Sequence, residues 1–248
     1  MRLDSQCIQC LLKRHCETAA KYGNDEQVTA FTRDLMRILC DGPVEMSAPY
    51  YTPEIAKLFT DHFGLAQDQF AREKEESNRF ALERFDKITG MVRGSDDPLY
   101  AGLQAAILGN YIDFSALQGE VSFEKLDGML SLLHTIEVDR DTFEDLRADL
   151  KTGKELLYLT DNAGEIVFDR VWLEVIRDTF PNLSITVCVR GGPAQNDATV
   201  EDAKAVGMPF PVIDNGTCIS GTVLEKASPE LRAAISTADV VIAKGQAN

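Results

Sequence analysis

The sequence predicts an α/β protein in which a helical N-terminal region precedes a mostly parallel sheet flanked by helices. Up to about residue 150, apolar residues recur at helical spacing between recognisable caps. Beyond residue 154, short apolar runs alternate with helical patterns, the grammar of βαβ units. The stretch Glu155 to Asp169 condenses this: an apolar run, an acidic turn at Asp161-Asn162, one glycine, then a helical stripe of Ile166, Val167, Val171, Val175 and Ile176. In open α/β sheets ligands sit beyond the carboxyl ends of the strands, so the Asp161 and Asn162 oxygens point to a site. The competing reading is local, with Asp161 capping the helix and Asn162 making a turn.

The N-terminal elements follow in order. Asp4 or Ser5 starts a helix carrying Cys7, Cys10, Leu11 and Leu12 that Gly23-Asn24 ends. A second helix spans about Asp25 to Cys40 on a Val28, Phe31, Leu35, Ile38, Leu39 stripe, and Thr52-Pro53-Glu54 opens a third that stops at Gly64. Gln67 to Ile88 reads as one long charged helix with a solvated Glu/Lys/Arg face. Asp97-Pro98 opens an Ala-rich helix that fails at Gly109-Asn110-Tyr-Ile-Asp113, where a helix stop and turn is the plain reading. Two more helices are expected near Ser122–His134 and Asp141–Leu150. The join falls at Thr152-Gly153-Lys154, giving a helical region over 1–152 and an αβ domain over 153–248.

Four strands are expected in the second part: Leu156–Thr160, Ser184–Val189, Pro209–Ile213 and Asp239–Ala243. The chain stops at Lys244-Gly-Gln-Ala-Asn248 with no following helix, an unusual end for such a domain, so a missing C-terminal tail is expected.

Composition excludes several classes. The net charge of −15 over 248 residues leaves no basic stripe for a nucleic-acid backbone. No run approaches the roughly 18 apolar residues of a membrane span, and no signal-peptide pattern is present, so the chain is expected in the cytoplasm with its six cysteines reduced. Neither a G-x-G-x-x-G after the first strand nor a P-loop occurs. His15, His62 and His134 sit in helical patterns as surface or packed residues. Cys7-x-x-Cys10 is a single pair in a helical region, suited to core packing or to a weak soft-metal site. Oligomeric state is not legible.

Three strand ends carry polar groups: Asp161-Asn162, Asn196-Asp197 and Lys244-Gly245-Gln246-Ala247-Asn248. Two carboxylates and an amide oxygen form an all-oxygen set suited to a hard cation such as Mg²⁺ or Mn²⁺. Lys244 offers a charge to a phosphate oxygen, Gly191 and Gly192 permit close backbone approach, and the helix starting at Glu165 favours an anion. Against this stands the reading of three unrelated turn clusters.

Asp161-Asn-Ala-Gly-Glu-Ile-Val-Phe-Asp169, Gly191-Gly-Pro-x-x-Asn196-Asp197-Ala-Thr199 and Lys244-Gly-Gln-Ala-Asn248 resemble the motifs of the metal-dependent damage-control phosphatases, long catalogued as a domain of unknown function. Cys7-x-x-Cys10 and Asp97-Pro-Leu…Gly109-Asn110-x-x-Asp113 resemble the prokaryotic subfamily. The resemblance implies a helical region packed on a three-layer αβα, Rossmann-like domain. It also implies a divalent metal held by Asp161, Asn162 and Asp197, and Asn110 and Asp113 near the site. The activity it implies is hydrolysis of small phosphorylated metabolites, chiefly sugar phosphates.

Two function classes follow. The first is a phosphatase using Mg, Mn, Co or Ni, with Asp161 at the reaction centre and Glu165 and Asp169 as acid/base candidates. Its substrate contacts would come from Asn110, Asp113, Gly191, Asn196, Lys244, Gly245, Gln246 and Asn248. The second is a metabolite- or methyl-donor-binding α/β module, similar to the carboxyl methyltransferase role described for eukaryotic relatives, in which Asp161 and Asn162 grip a ribose or amino group.

Overall fold

The computed structural model describes residues 2–66, 68–111 and 128–248. Helix α1 (Ser5–Ala19) is capped by Asp4, whose carboxylate accepts from the Cys7 N–H at 2.8 Å. Helix α2 (Asp25–Asp41) starts with a reciprocal Asn24–Gln27 capping box. Helix α3 (Thr52–Phe63) ends at Gly64, whose φ of 69° supplies the left-handed C-terminal residue. Together they bury Leu11, Phe31, Leu35, Leu39, Ile55 and Phe59 in a core of their own.

The long charged helix expected from Gln67 to Ile88 is two helices, α4 (Ala71–Leu82) and α5 (Phe85–Arg93). The break at Glu83-Arg84 turns Ile88 and Val92 into the main core, while the Arg84 guanidinium stacks 4.0 Å above the Phe80 ring. The α4 face is not wholly solvated either, because Lys74, Ser77 and Asn78 are buried. Lys74 sits between Asp68 (3.1 Å) and Asp202 (3.5 Å), so a buried polar face had the sequence pattern of an exposed one.

Helix α6 (Pro98–Tyr111) lies flat on the later helix Glu165–Thr179, and the approach is close because glycines face it. A Cβ at Gly102 would fall 2.5 Å from Trp172, and one at Gly109 would fall 3.0 Å from Phe168. The indole of Trp172 donates to Leu99 O at 3.1 Å. Of the segment expected as a helix near Ser122–His134, residues up to 127 lie outside those described, and Leu133–Thr135 is a 3₁₀ turn. Helix α7 (Arg140–Thr152), capped by Asp139, leads to the sheet.

Strands β1 (Glu155–Leu159), β2 (Ser184–Val189), β3 (Val212–Asp214) and β4 (Val240–Ala243) form one parallel sheet in the order β3-β2-β1-β4. Helix α8 (Glu165–Thr179) joins β1 to β2, α9 (Val200–Ala205) joins β2 to β3, and α10 (Pro229–Thr237) precedes β4. Alternate β1 residues face opposite ways: Leu156 and Tyr158 pack with α8 and the helices behind it, Leu157 and Leu159 with Leu231 of α10. The result is the three-layer α/β arrangement predicted. The core on the α8 side runs without a break from Ile88 and Ala105 to Tyr158 and Val187, so the helices beyond α4 and the sheet share one interior. Among the described residues no helix is long and apolar enough to cross a membrane.

This topology places the site. From β1 the chain moves outward to β2 and β3, then returns across the sheet to β4 on the other side of β1. The order reverses between β1 and β4, and the crevice for a ligand opens beyond their carboxyl ends. Leu159 is in register with both Cys188 and Ala243, so the loops after β1, β2 and β4 leave the sheet at one level.

Candidate active site

The loops after β1 and β2 are zipped together. Ala198 N donates to Asp161 O at 2.7 Å, Ala163 N donates to Asn196 O at 2.9 Å, and Asn162 and Asp197 form an antiparallel bridge between them. This short ladder brings Asp161, Asn162 and Asp197 to one point, although the two aspartates are 36 positions apart in sequence. Gly245, with φ 78°, passes so close that an added Cβ would lie 2.3 Å from the Asp161 carboxylate. A cleft of about 650 Å³ opens over these groups, and Asn110, Asn196, Gln246 and Ala247 also line it.

Glu165, fully buried at the α8 N-terminus, ties the cluster together. Its carboxylate accepts from the side-chain amides of Asn110 (3.0 and 3.2 Å) and Asn162 (3.0 Å), and forms a short ion pair with Lys244. The Asn162 amide nitrogen also lies 2.9 Å from Asp161 Oδ2, and that of Asn110 lies 3.4 Å from it. Turning the Asn162 amide over would present its oxygen at the same place, since amide orientation follows its hydrogen-bond partners.

Charge is concentrated here under low exposure. Burial, then the neighbouring carboxylates of Asp197 and Glu165, push the Asp161 pKa up to about 7 against the pull of Arg190 and Lys244. Burial likewise raises Asp197, opposed chiefly by Arg190, whose Nε donates to Asp197 Oδ2 at 2.5 Å. Arg190 Nη2 lies 3.7 Å from Asp161 Oδ1 and has no hydrogen-bond partner. Its Nη1 donates to Asn248 Oδ1 at 2.6 Å.

The other expected site residues separate into two groups. Asn110 is within reach of the cleft and still inside α6, and Asp113 lies outside the described residues. Lys244 and Asp169 do not line the cleft. Lys244 Nζ spends its three donors on Glu165, Asp169 Oδ1 (2.9 Å) and Ala106 O (2.9 Å). Asp169 is fully buried, accepts from Tyr158 OH at 2.6 Å, and is raised to about 6 by burial despite Lys244. Gly191 N donates to Thr217 O and Asn215 Oδ1, both at 3.0 Å, so its close approach is to the turn at Gly216. Asn248 braces the loops from behind, donating to Thr160 O (2.9 Å) and Lys244 O (2.6 Å).

Sequence reasoning passed over Arg190 and Asn78. Arg190 follows β2 directly, and only the register reveals that it backs both aspartates. Asn78 of α4 accepts from Gly164 N at 2.7 Å and donates to Asp202 Oδ1 at 2.8 Å. Asp202 in turn caps the loop end at Thr199 N (2.8 Å), so one buried amide links the loops after β1 and β2. A polar residue on the inward face of a sparsely apolar helix was the available signal. Of Cys7 and Cys10, expected in core packing or a weak soft-metal site, Cys7 packs partly against the core of α1 to α3 while Cys10 is exposed, and both line the cleft.

The raised carboxylates fix a pH dependence. A carboxyl whose folded pKa lies above its unfolded value holds a proton that the unfolded chain has lost, so stability falls as pH rises through it. For Asp161 that window runs from about 4 to about 7, and for Asp169 to about 6. His15, held down to about 4 by burial and by Arg14, acts in the opposite sense below its ordinary value of 6.5. Between pH 6.5 and 8 the chelated protein is therefore expected to lose stability, and Asp161→Asn to lose less. Urea midpoints at the two pH values check this; a wild-type midpoint that rises, or an equal fall in the variant, contradicts it.

Comparison with known proteins shows the family to which the chain belongs. The family model described as the damage-control phosphatase ARMT1-like domain matches residues 3–248. An uncharacterised protein of Methanocaldococcus jannaschii is 32% identical over 254 residues, covering 100% of this chain and 82% of that protein. A damage-control phosphatase of Archaeoglobus fulgidus is 30% identical over 260 residues, covering 100% of this chain and 86% of its own. The crystal structure of a DUF89 family protein of Pyrococcus horikoshii matches with a TM-score of 0.85 at 29% identity, over 100% of this chain and 86% of that one. The chain belongs to the damage-control phosphatase ARMT1-like domain family.

Proposed function

We propose that the protein hydrolyses small phosphorylated metabolites, sugar phosphates among them, at a divalent cation held by Asp161, Asn162 and Asp197. The observation that carries this reading is the convergence of the Asp161 and Asp197 carboxylates at the floor of the cleft, with the fully buried Glu165 carboxylate behind them and Asp161 raised to about 7. Such a cluster asks for a cation. The donor set is all oxygen once the Asn162 amide is turned, which suits a hard ion such as Mg²⁺ or Mn²⁺, and Co²⁺ and Ni²⁺ also accept it. When bound, the ion would polarise the phosphoryl group and offset charge on its oxygens.

The residues themselves divide the remaining work. Arg190 fixes the Asp197 carboxylate and leaves Nη2 free beside Asp161, a donor for an anionic oxygen. Glu165 orients the amides of Asn110 and Asn162. Lys244, buried against Glu165 and Asp169, holds the Glu165 carboxylate in place through their ion pair. Gly245, Gln246 and Asn196 shape the cleft wall around the phosphate.

The test is phosphate release from a panel of sugar and nucleotide phosphates, with chelator and with Mg²⁺, Mn²⁺, Co²⁺ or Ni²⁺ added singly. Metal-stimulated release from at least one sugar phosphate is the expected result. No release with any metal, together with binding of a methyl donor, would favour the metabolite-binding module instead.

A further inference from the structure

The cleft has a second wall, built by α1. Cys7, Cys10 and Arg14 stand at i, i+3 and i+7 on one helix face and line it together with His15. Arg14 is anchored across the cleft, where its Nη2 donates to Gln195 Oε1 at 3.2 Å. Gln195 is the one described non-glycine residue at positive φ (53°), in the loop that carries Asn196 and Asp197. In a chain of net charge −15, the Arg14 guanidinium meets a neutral amide and, among the described residues, no carboxylate. The cations facing Asp161 are Arg190 and Lys244, so Arg14 is separate from that cluster.

His15 adds an independent sign of a ligand. It is 9% exposed, its Nε2 has no hydrogen-bond partner, and it lines both the cleft and a smaller cavity of about 100 Å³ beside Ile55, Phe59 and Phe70. Leaving such an atom unsatisfied is costly, and a ligand hydroxyl reaching it removes the cost. Burial and the neighbouring Arg14 keep the ring neutral, able to donate or accept one bond without adding charge.

We infer that the α1 wall is a second anion subsite: Arg14 takes a carboxylate or second phosphate at the far end of the substrate, and His15 takes a hydroxyl. This rests on the phosphatase reading for the first anchor and narrows it to phosphorylated metabolites with two anionic ends, such as phosphorylated sugar acids. A guanidinium suits this role because its planar fork binds a carboxylate or phosphate by two bonds at once.

The test compares 6-phosphogluconate with glucose 6-phosphate, which have the same carbon count and differ in the charge of the far end. The wild type is expected to favour 6-phosphogluconate in kcat/KM by about tenfold or more, and Arg14→Gln to lose that preference. Arg14→Lys should retain part of it. Gln195→Ala, which removes the tether and keeps the charge, should keep the preference; its loss there would mean that Arg14 acts only by holding the loop. Calorimetric titration of 6-phosphogluconate on the wild type and Arg14→Gln, with the ion present and turnover read separately, isolates the subsite. If neither sugar is hydrolysed but binding still weakens about tenfold in Arg14→Gln, the phosphatase reading fails and the subsite stands. No preference in the wild type, or equal binding by the two proteins, overturns the subsite.

Discussion

Replacing Asp161 by alanine is expected to reduce metal-stimulated phosphate release by about a thousandfold or more, since losing one charge-stabilising group alone commonly costs about 10²–10³. The carboxylate stands where the loops after β1 and β2 meet, touching the Asn162 amide at 2.9 Å and backed by Gly245. The fold should survive, because Asp161 connects to the ladder through its backbone carbonyl, which accepts from Ala198 N at 2.7 Å. Removing one of three crowded carboxylates also relieves repulsion, so the chelated variant should be at least as stable as the wild type. Metal gives a second readout. An ion present at a hundred times its Kd stabilises the folded state by about 2.7 kcal/mol. The wild type should therefore melt higher with metal, and Asp161→Ala should not. Full activity in the variant, or an equal thermal shift, would remove Asp161 from the site.

The fold class was legible because the elements speak locally. Apolar runs such as Leu156 to Leu159, the cap at Asp4 and the glycine before α8 are all readable within a few residues. All four strands were found, with β2 matched end to end and β3 displaced toward Asp214. The break between α4 and α5 was not legible. Charged helices have no apolar stripe to interrupt, and the kink serves a distant core. The buried polar face of α4 misled for the same reason, since Lys74 and Asn78 look like solvent residues until Asp202, more than a hundred positions away, is placed against them.

The site was legible in outline through its strand-end clusters. Which side chains face the cleft was not, because that depends on the register of β4 against β1 and on which groups capture Lys244. Asn110 and Lys244 illustrate the difference. Both carry motif chemistry, but Asn110 opens onto the cleft while Lys244 turns inward to Glu165 and Asp169. Cys7 and Cys10 differ in the same way: Cys7 packs partly against the core of α1 to α3, Cys10 is exposed, and both line a cleft wall where α1 meets the β2 loop through Arg14 and Gln195.

Lys244→Met is expected to be among the most destabilising single changes available, costing about 3–5 kcal/mol at pH 8 with chelator present. Lys244 is 9% exposed and stands between Glu165 and Asp169, both fully buried. Burial alone would lower its pKa, but the two carboxylates outweigh that and hold it above the ordinary lysine value, so the ammonium is charged throughout the working range. Methionine fills the volume and leaves two carboxylates without their cation. Asp169 already sits at about 6 with Lys244 in place, and without it the carboxyl would hold its proton to higher pH. The variant should thus recover part of its stability as the pH falls from 8 to 5, because protonation removes the uncompensated charge. Adding Asp169→Asn to Lys244→Met should restore part of the loss at pH 8 and flatten its pH dependence, the amide still accepting from Tyr158. Urea unfolding of the single and double variants at both pH values reads this directly. A single variant within about 1 kcal/mol of the wild type at pH 8 would show that solvent, not Lys244, compensates these carboxylates.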